Sequence, residues 1–240
     1  MTVGADPATP PPRRRDAQRN WELLVAAAHE VFTEQGLEAP LDVIARRAGV
    51  GNATLYRHFP SRAALIDAVF HDQLADTMAV GARARDAPDA WSGLTDYLGT
   101  VFGTLAADRG TNDLMTTHVR GVGALEAVHE HNRRTVESLL GRGRDEGSVR
   151  ADVTTEDVLF GLAALGRAVP ALTARAAPGA WRRPLALFLD SLRAPSPSAP
   201  PRPTLPGPSL DAAQLGEVLE ELGPHRSGPA RRTPATRPRG

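Results

Sequence analysis

The side chains best suited to chemistry in this chain crowd into residues 41–62: Arg46, Arg47, Asn52, Thr54, Tyr56, Arg57, His58 and Arg62. Their types do not make an acid–base pair or an activated nucleophile. They are groups that meet phosphate oxygens and base edges: Arg pairs with guanine, Asn with adenine, and Thr offers its methyl to thymine or its hydroxyl to several bases. Between Val43 and Ile66 the charges are Arg46, Arg47, Arg57 and Arg62 with no acid, so the stretch presents a face attractive to phosphate.

Two short helices must position these groups. In LDVIARRAGVGNATLYRHFP, residues 41–60, Leu41, Ile44, Ala45 and Ala48 keep helical spacing and turn Arg46 and Arg47 outward. Gly49 tolerates the left-handed backbone that ends a helix, and Val50 plugs the corner. The second helix starts near Gly51 or Asn52 and stops about Phe59, because Pro60 disfavours helical geometry in the residue before it. Leu55 and Phe59, four apart, face inward, leaving Thr54, Tyr56, Arg57 and His58 outward or flanking.

The ordered runs IARRAGV, ATLYRHF and SRAALI, preceded by an amphipathic helix ending in VFTEQG, resemble the helix-turn-helix of the tetracycline-repressor (TetR) family of bacterial transcription regulators. The likeness is strong over roughly residues 17–77, and beyond them only size and helix content agree. It implies that Gly51, Asn52, Ala53 and Thr54 open a recognition helix in the major groove, and that Tyr56 and His58 grip backbone phosphates. Arg57 would reach a base edge or a phosphate, and Arg62 stands where the family has a basic phosphate contact. One departure is visible: Ala39 and Pro40 occupy the place where the family often has a capping Thr or Ser that also touches phosphate. The bland alternative is a solvated surface helix.

Composition bounds the rest. At 240 residues and 41% hydrophobic content the chain can bury a helical core, and its formal net charge is zero. It has no cysteine, which excludes disulfides, thiol nucleophiles and cysteine-ligated zinc. All 28 basic residues are arginine, a bias that a GC-rich genome explains. No window approaches the roughly 20 uninterrupted apolar residues that span a bilayer, and no signal-peptide run opens the chain, so the cytoplasm is expected and no membrane partner. No phosphate loop, nucleophile elbow, zinc motif or paired-carboxylate spacing is present, so neither an enzyme nor a cofactor is expected.

The expected fold is all-α: an N-terminal three-helix helix-turn-helix DNA-binding domain, then an α-helical regulatory and dimerisation domain, with disordered N- and C-terminal tails. Residues 1–15, Pro-rich and ending in Arg13, Arg14 and Arg15, read as a basic arm that enters the minor groove, touches phosphate or is merely solvated. Residues 16–77 make the reader, with its motif at 41–60, and 78–194 the body. In the body a stripe from Leu125 to Leu140 is interrupted by His129 and Asn132, and Val158 to Val169 is apolar nearly all round. After Arg193 the composition changes: 11 of 21 prolines fall between Pro195 and Pro238, so 195–240 reads as a Pro/Arg-rich tail. Within it Ser209 is positioned to cap one amphipathic helix carrying Leu215, Val218, Leu219 and Leu222.

The resemblance further implies a homodimer through the helices in 155–193, a roughly palindromic double-stranded operator, and an unknown small-molecule effector that weakens DNA binding. That makes a ligand-responsive repressor the leading reading, with an activator or a nonspecific, architectural DNA-binding protein as alternatives. His118, His129 and Asn132 on apolar stripes need partners, internal or from a ligand, because an unsatisfied buried polar group costs roughly 1 to 3 kcal/mol. Met78, Trp91, Tyr97, Phe102 and Met115 are the candidate apolar walls of an effector site. Metal binding by His118, His129 and His131 is not expected, since positions 129 and 131 point about 200 degrees apart on a helix.

Overall fold

The computed structural model describes residues 12–116, 121–196, 198 and 202–222, and among these the chain forms ten α-helices and no strand. The first, α1 (Pro12–Gln35), starts four residues before the expected Asp16, so part of the supposed arm is helical. The rest of that arm, His118 and the residues beyond 222 lie outside the described residues. Leu24, Ala28, Val31 and Phe32 give α1 one buried face. Against it pack α2 (Leu41–Arg47) and α4 (Arg62–Arg85), with α3 (Asn52–His58) seated on α2.

The turn between α2 and α3 forms as the residues demand. Gly49 adopts φ +69°, its N–H donates to Arg46 O, and Val50 N–H donates to Ala45 O at 3.0 Å, closing the end of α2. Leu55 and Phe59 are buried beneath α3, where Phe59 meets Trp21 of α1 at 6.3 Å between ring centroids. Each anchor truncated to alanine would cost about 2 to 5 kcal/mol, enough to unseat a helix of seven residues. Pro40 precedes α2 with no side-chain cap, and Ser61 caps α4 by accepting from Ala64 N–H at 3.1 Å.

The body contains α5 (Ala90–Ala107), α6 (Arg109–Thr116), α7 (Gly123–Asp145), α8 (Thr155–Arg175), α9 (Arg182–Leu192) and α10 (Ala212–Leu222). α4 runs from the reader into this body and packs along α7 and α5. A capping box between Thr154 and Asp157 starts α8, and an antiparallel bridge between Val149 and Arg193 ties the α7–α8 turn to the end of α9. α10 is capped by Asp211, which accepts from Gln214 N–H at 2.8 Å, and not by Ser209, which lies two residues too early.

By length and composition alone α8 is apolar enough to cross a membrane. Its burial explains the apolarity differently. Val158, Leu162, Ala163, Gly166 and Val169 face α5, α6 and α7, while Phe160, Ala164, Ala168 and Ala171 form an exposed apolar strip on the opposite side, about half a turn away. Leu187 of α9 is 65% exposed.

Candidate nucleic-acid interface and the cavities behind it

On α3, Gly51, Asn52, Ala53, Tyr56 and Arg57 are exposed and Thr54 is half-buried. This is one contiguous polar edge, fixed from below by Leu55. Arg46 and Arg57 have no ion-pair partner among the described residues, so both charges remain available to an anion. Tyr56 is 55% exposed, the conspicuous aromatic of this surface.

Three basic candidates have neighbours that local sequence does not show. Arg47 forks onto Glu34 of α1, with Nη1 and Nη2 donating to the two carboxylate oxygens at 2.8 and 2.9 Å, and Glu30 stands 3.6 Å away. The hydrogen bonds from Arg47 hold the Glu34 carboxyl below the ordinary carboxylate range. The absence of acid between Val43 and Ile66 is true of the chain, but folding brings two acids from the preceding helix beside Arg47.

Arg62 turns its Nη1 onto the backbone, donating to Leu37 O at 2.6 Å and Ala39 O at 2.7 Å. It clamps the α1–α2 turn. His58 is half-buried, and its Nε2 is buried with no hydrogen-bond partner among the described residues, which leaves Nδ1 as the ring nitrogen able to meet a phosphate.

Behind the reader, α6 is buried along its length, although it carries the polar residues Thr111, Asn112, Asp113 and Thr116, with Asp108 just before it. Each bonds across to another element or within its own turn. Thr33 of α1 donates its hydroxyl to Asp108, Leu37 N–H donates to Asp113 at 3.3 Å, Thr111 donates to Gln73 of α4 at 2.9 Å, and Asn112 Nδ2 donates to Gly166 O of α8 at 2.8 Å. Thus α6 is bonded to the reader on one side and to the body on the other. The sequence marks a short helix here by Leu114 and Met115 but sets it toward Val122; the polar turn from Arg109 carries no apolar stripe, and its partners lie dozens of residues away.

Two cavities flank α6. One, of about 170 Å³, lies among α4, α5 and α6 and is lined by Gln73, Asp76, Thr77, Thr100, Thr104 and Thr111 together with apolar neighbours. Its polar lining had a sequence signal in Gln73, Asp76 and Thr77 at i, i+3 and i+4 and Thr100 and Thr104 at i and i+4. The other, of about 300 Å³, lies among α7, α8 and α10. Met115 lines both, and His129 and Asn132 line the second. Tyr97 is buried and donates its hydroxyl to Asn132 Oδ1 at 2.8 Å; burial pushes that phenol well above its ordinary value.

The remaining candidate walls are committed elsewhere. Phe102 is in the core against Trp181, Arg193 stacks over Trp91 at 4.3 Å, and Met78 packs on the core's edge; none lines either cavity. Among the described residues no group of three or more His, Asp or Glu converges to hold a metal ion.

A short helix held across another by a glycine turn, offering Asn, Thr, Tyr and Arg from its leading edge, defines a DNA-binding protein of the helix-turn-helix class. Residues 24–69 match the family of bacterial regulatory proteins called tetR, and residues 87–194 match the SbtR-like transcriptional regulator C-terminal domain. A TetR transcription regulatory protein from Mycobacterium vanbaalenii is 30% identical, covering 76% of this chain and all of its own, with a TM-score of 0.41. The transcriptional regulator FadR from Bacillus subtilis, solved in complex with stearoyl-CoA, shares the fold at 16% identity, 72% and 99% coverage and a TM-score of 0.54. An HTH-type transcriptional regulator of Staphylococcus aureus is 40% identical over 53 residues, 22% of this chain, and the chain spans only 29% of that relative's length. The chain belongs to the TetR family of transcriptional regulators and is a DNA-binding regulator of transcription.

Proposed function

We propose that the protein is a ligand-responsive homodimeric repressor, which places one α3 per subunit in successive major-groove faces of a roughly palindromic operator. Asn52 and Thr54 read bases, with Gly51 and Ala53 allowing close backbone approach. Arg46, Tyr56, Arg57 and the Nδ1 of His58 hold phosphates. Arg47, shared with Glu34, adds a weaker contact, and Arg62 acts mainly by fixing the turn that carries α2.

The apolar strip on α8, with Leu187 of α9, supports pairing of two subunits through the helices in 155–193. Such a strip on an isolated chain is costly unless covered, and two copies of α8 and α9 make a four-helix cover. A partner that is chromosomal DNA fits a cytoplasmic protein.

The observation that carries the ligand response is α6, which walls both cavities and is tied to the reader by two bonds: Asp108, just before it, accepts from Thr33 of α1, and its Asp113 accepts from Leu37 in the α1–α2 turn. A molecule that displaces α6 must also move α1 or break those bonds; α4 is tied to α1 through Phe70 and Phe32, whose rings lie 6.2 Å apart, and α1 meets the end of α3 through Trp21 and Phe59. If an effector prefers the arrangement in which the two readers miss their half-sites, it lowers operator affinity by that preference, commonly about 1 to 3 kcal/mol. Operator titration in the presence and absence of a bound effector tests this: a roughly 5- to 150-fold loss is expected. Unchanged affinity with a tightly bound effector overturns the coupling.

A further inference from the structure

We propose that α10 is the outer wall of the effector site, and that the site takes a compact apolar molecule with a hydrogen-bond acceptor at its buried end and an amine at its mouth. The assignment deepens the ligand-responsive reading and rests on it for its consequence, though not for the binding itself.

α10 lies beyond residue 194, where the family match ends, so this wall is not part of the matched domain. The tail that delivers it is held by polar bonds. Arg150 and Asp152 pair at 2.6 Å, Arg150 Nη2 donates to Pro203 O at 3.1 Å, and Leu205 N–H donates to Asp152 Oδ2 at 2.9 Å. Gly207, at φ +71°, then turns the chain toward α10. Leu215, 3% exposed, sits down on α8, while α10 leaves the outward strip of Phe160, Ala164 and Ala168 uncovered.

Beneath α10 the cavity of about 300 Å³ is floored by Leu159, Leu162 and Ala163, at the small end for a ligand pocket. Asn132, 6% exposed, lines it. Its Oδ1 is taken by Tyr97, and no partner among the described residues occupies its amide N–H groups, so the buried end offers donors to a carbonyl or ether oxygen. At the mouth stand Glu126 and Glu130, one turn apart on α7 and both exposed. Arg133, the cation in the lining, is bound to Glu156 of α8. Arg134 pairs with Glu130 where both are open to water, a weak bond that an entering cation can replace. An amine is therefore favoured at this mouth, and the phosphates of a coenzyme A thioester are opposed.

The test uses full-length protein without DNA. Tetracaine, an aromatic ester with a tertiary amine, is titrated by calorimetry beside its anionic fragment 4-(butylamino)benzoate and stearoyl-CoA. One tetracaine per chain is expected, with the benzoate roughly tenfold weaker or more and no site for stearoyl-CoA. Gly216 lines the cavity from α10 and has open space around an added Cβ. Gly216→Phe should fill the cavity and weaken tetracaine roughly tenfold or more without lowering the melting temperature. Glu126→Gln with Glu130→Gln, both at the surface, should erase the preference for the amine. Absence of tetracaine binding, equal binding by Gly216→Phe, or a preference for the anions overturns the proposal. A chain that takes tetracaine in this way yet holds its operator unchanged keeps the site and overturns only the ligand-responsive reading.

Discussion

Replacing Arg62 by leucine separates two roles that the same side chain could play. In the structure one guanidinium nitrogen donates to both Leu37 O and Ala39 O, and those residues are 1% and 3% exposed. A hydrogen bond from a charged donor contributes about 1.5 to 3 kcal/mol. Two bonds sharing one nitrogen fall short of twice that, so Arg62→Leu should cost about 2 to 4 kcal/mol. In a chain of this size each kcal/mol lowers the melting temperature by about 2 to 4 °C, so the variant should melt roughly 4 to 16 °C lower without any DNA present. If Arg62 served only a phosphate, stability would stay within about 0.5 kcal/mol and the slope of log affinity against log salt would shrink by about 0.9. Thermal unfolding of the free protein, paired with operator titrations at several salt concentrations below the variant's melting range, reads both quantities. An unchanged melting temperature with a slope reduced by one phosphate would refute the clamp.

Three further outcomes follow from the packing. Leu187→Glu, at a 65% exposed position, should leave subunit stability within about 0.5 kcal/mol yet turn a dimer into monomers in analytical ultracentrifugation, whereas a dimer that survives removes α9 from the interface. Gly93→Ala would put its Cβ 2.5 Å from the Ala84 carbonyl oxygen and 2.9 Å from Leu139, and should cost about 1 to 3 kcal/mol in urea unfolding despite alanine's better helix propensity; a neutral result contradicts the close α4–α5 approach. His131 is held below the ordinary imidazole range by burial first, then by Arg85 and Arg134, with the Met78 carbonyl opposing. The unfolded chain therefore takes up this proton first. Stability from His131 is complete above about pH 6.5 and declines as pH falls through its folded value, so unfolding at pH 7.5 and 5.5 should differ less in His131→Gln than in wild type.

The reader was legible because its determinants are local. Gly49 and Pro60 punctuate it, and Leu55 and Phe59 show the inward face of α3 within four residues. What sequence concealed depends on distant partners. Arg47 reads as a free cation until α1 lies beside it, and Arg62 as a phosphate ligand until Leu37 and Ala39 present their carbonyls; Leu114 and Met115 mark α6 as a helix, but its polar residues have no visible purpose until Leu37, Gln73 and Gly166 meet them. Asn132 was recognisable as an anomaly on an apolar stripe, but its bond to Tyr97 and its place beneath α10 belong to tertiary structure. Met78, Trp91 and Phe102 show the converse: large apolar side chains announce a core without saying which part of it is hollow.

The most direct measurement of the central claim is selection of bound sequences from a random duplex pool, repeated with Asn52→Ala and Thr54→Ala. The account predicts a roughly palindromic site whose half-sites are centred about one helical turn apart, or a multiple of it, and a loss of about 1 to 3 kcal/mol with relaxed preference at particular bases in each variant. A wild-type protein that enriches no sequence, or variants that enrich the same site with the same affinity, would contradict the assignment of base reading to the leading edge of α3.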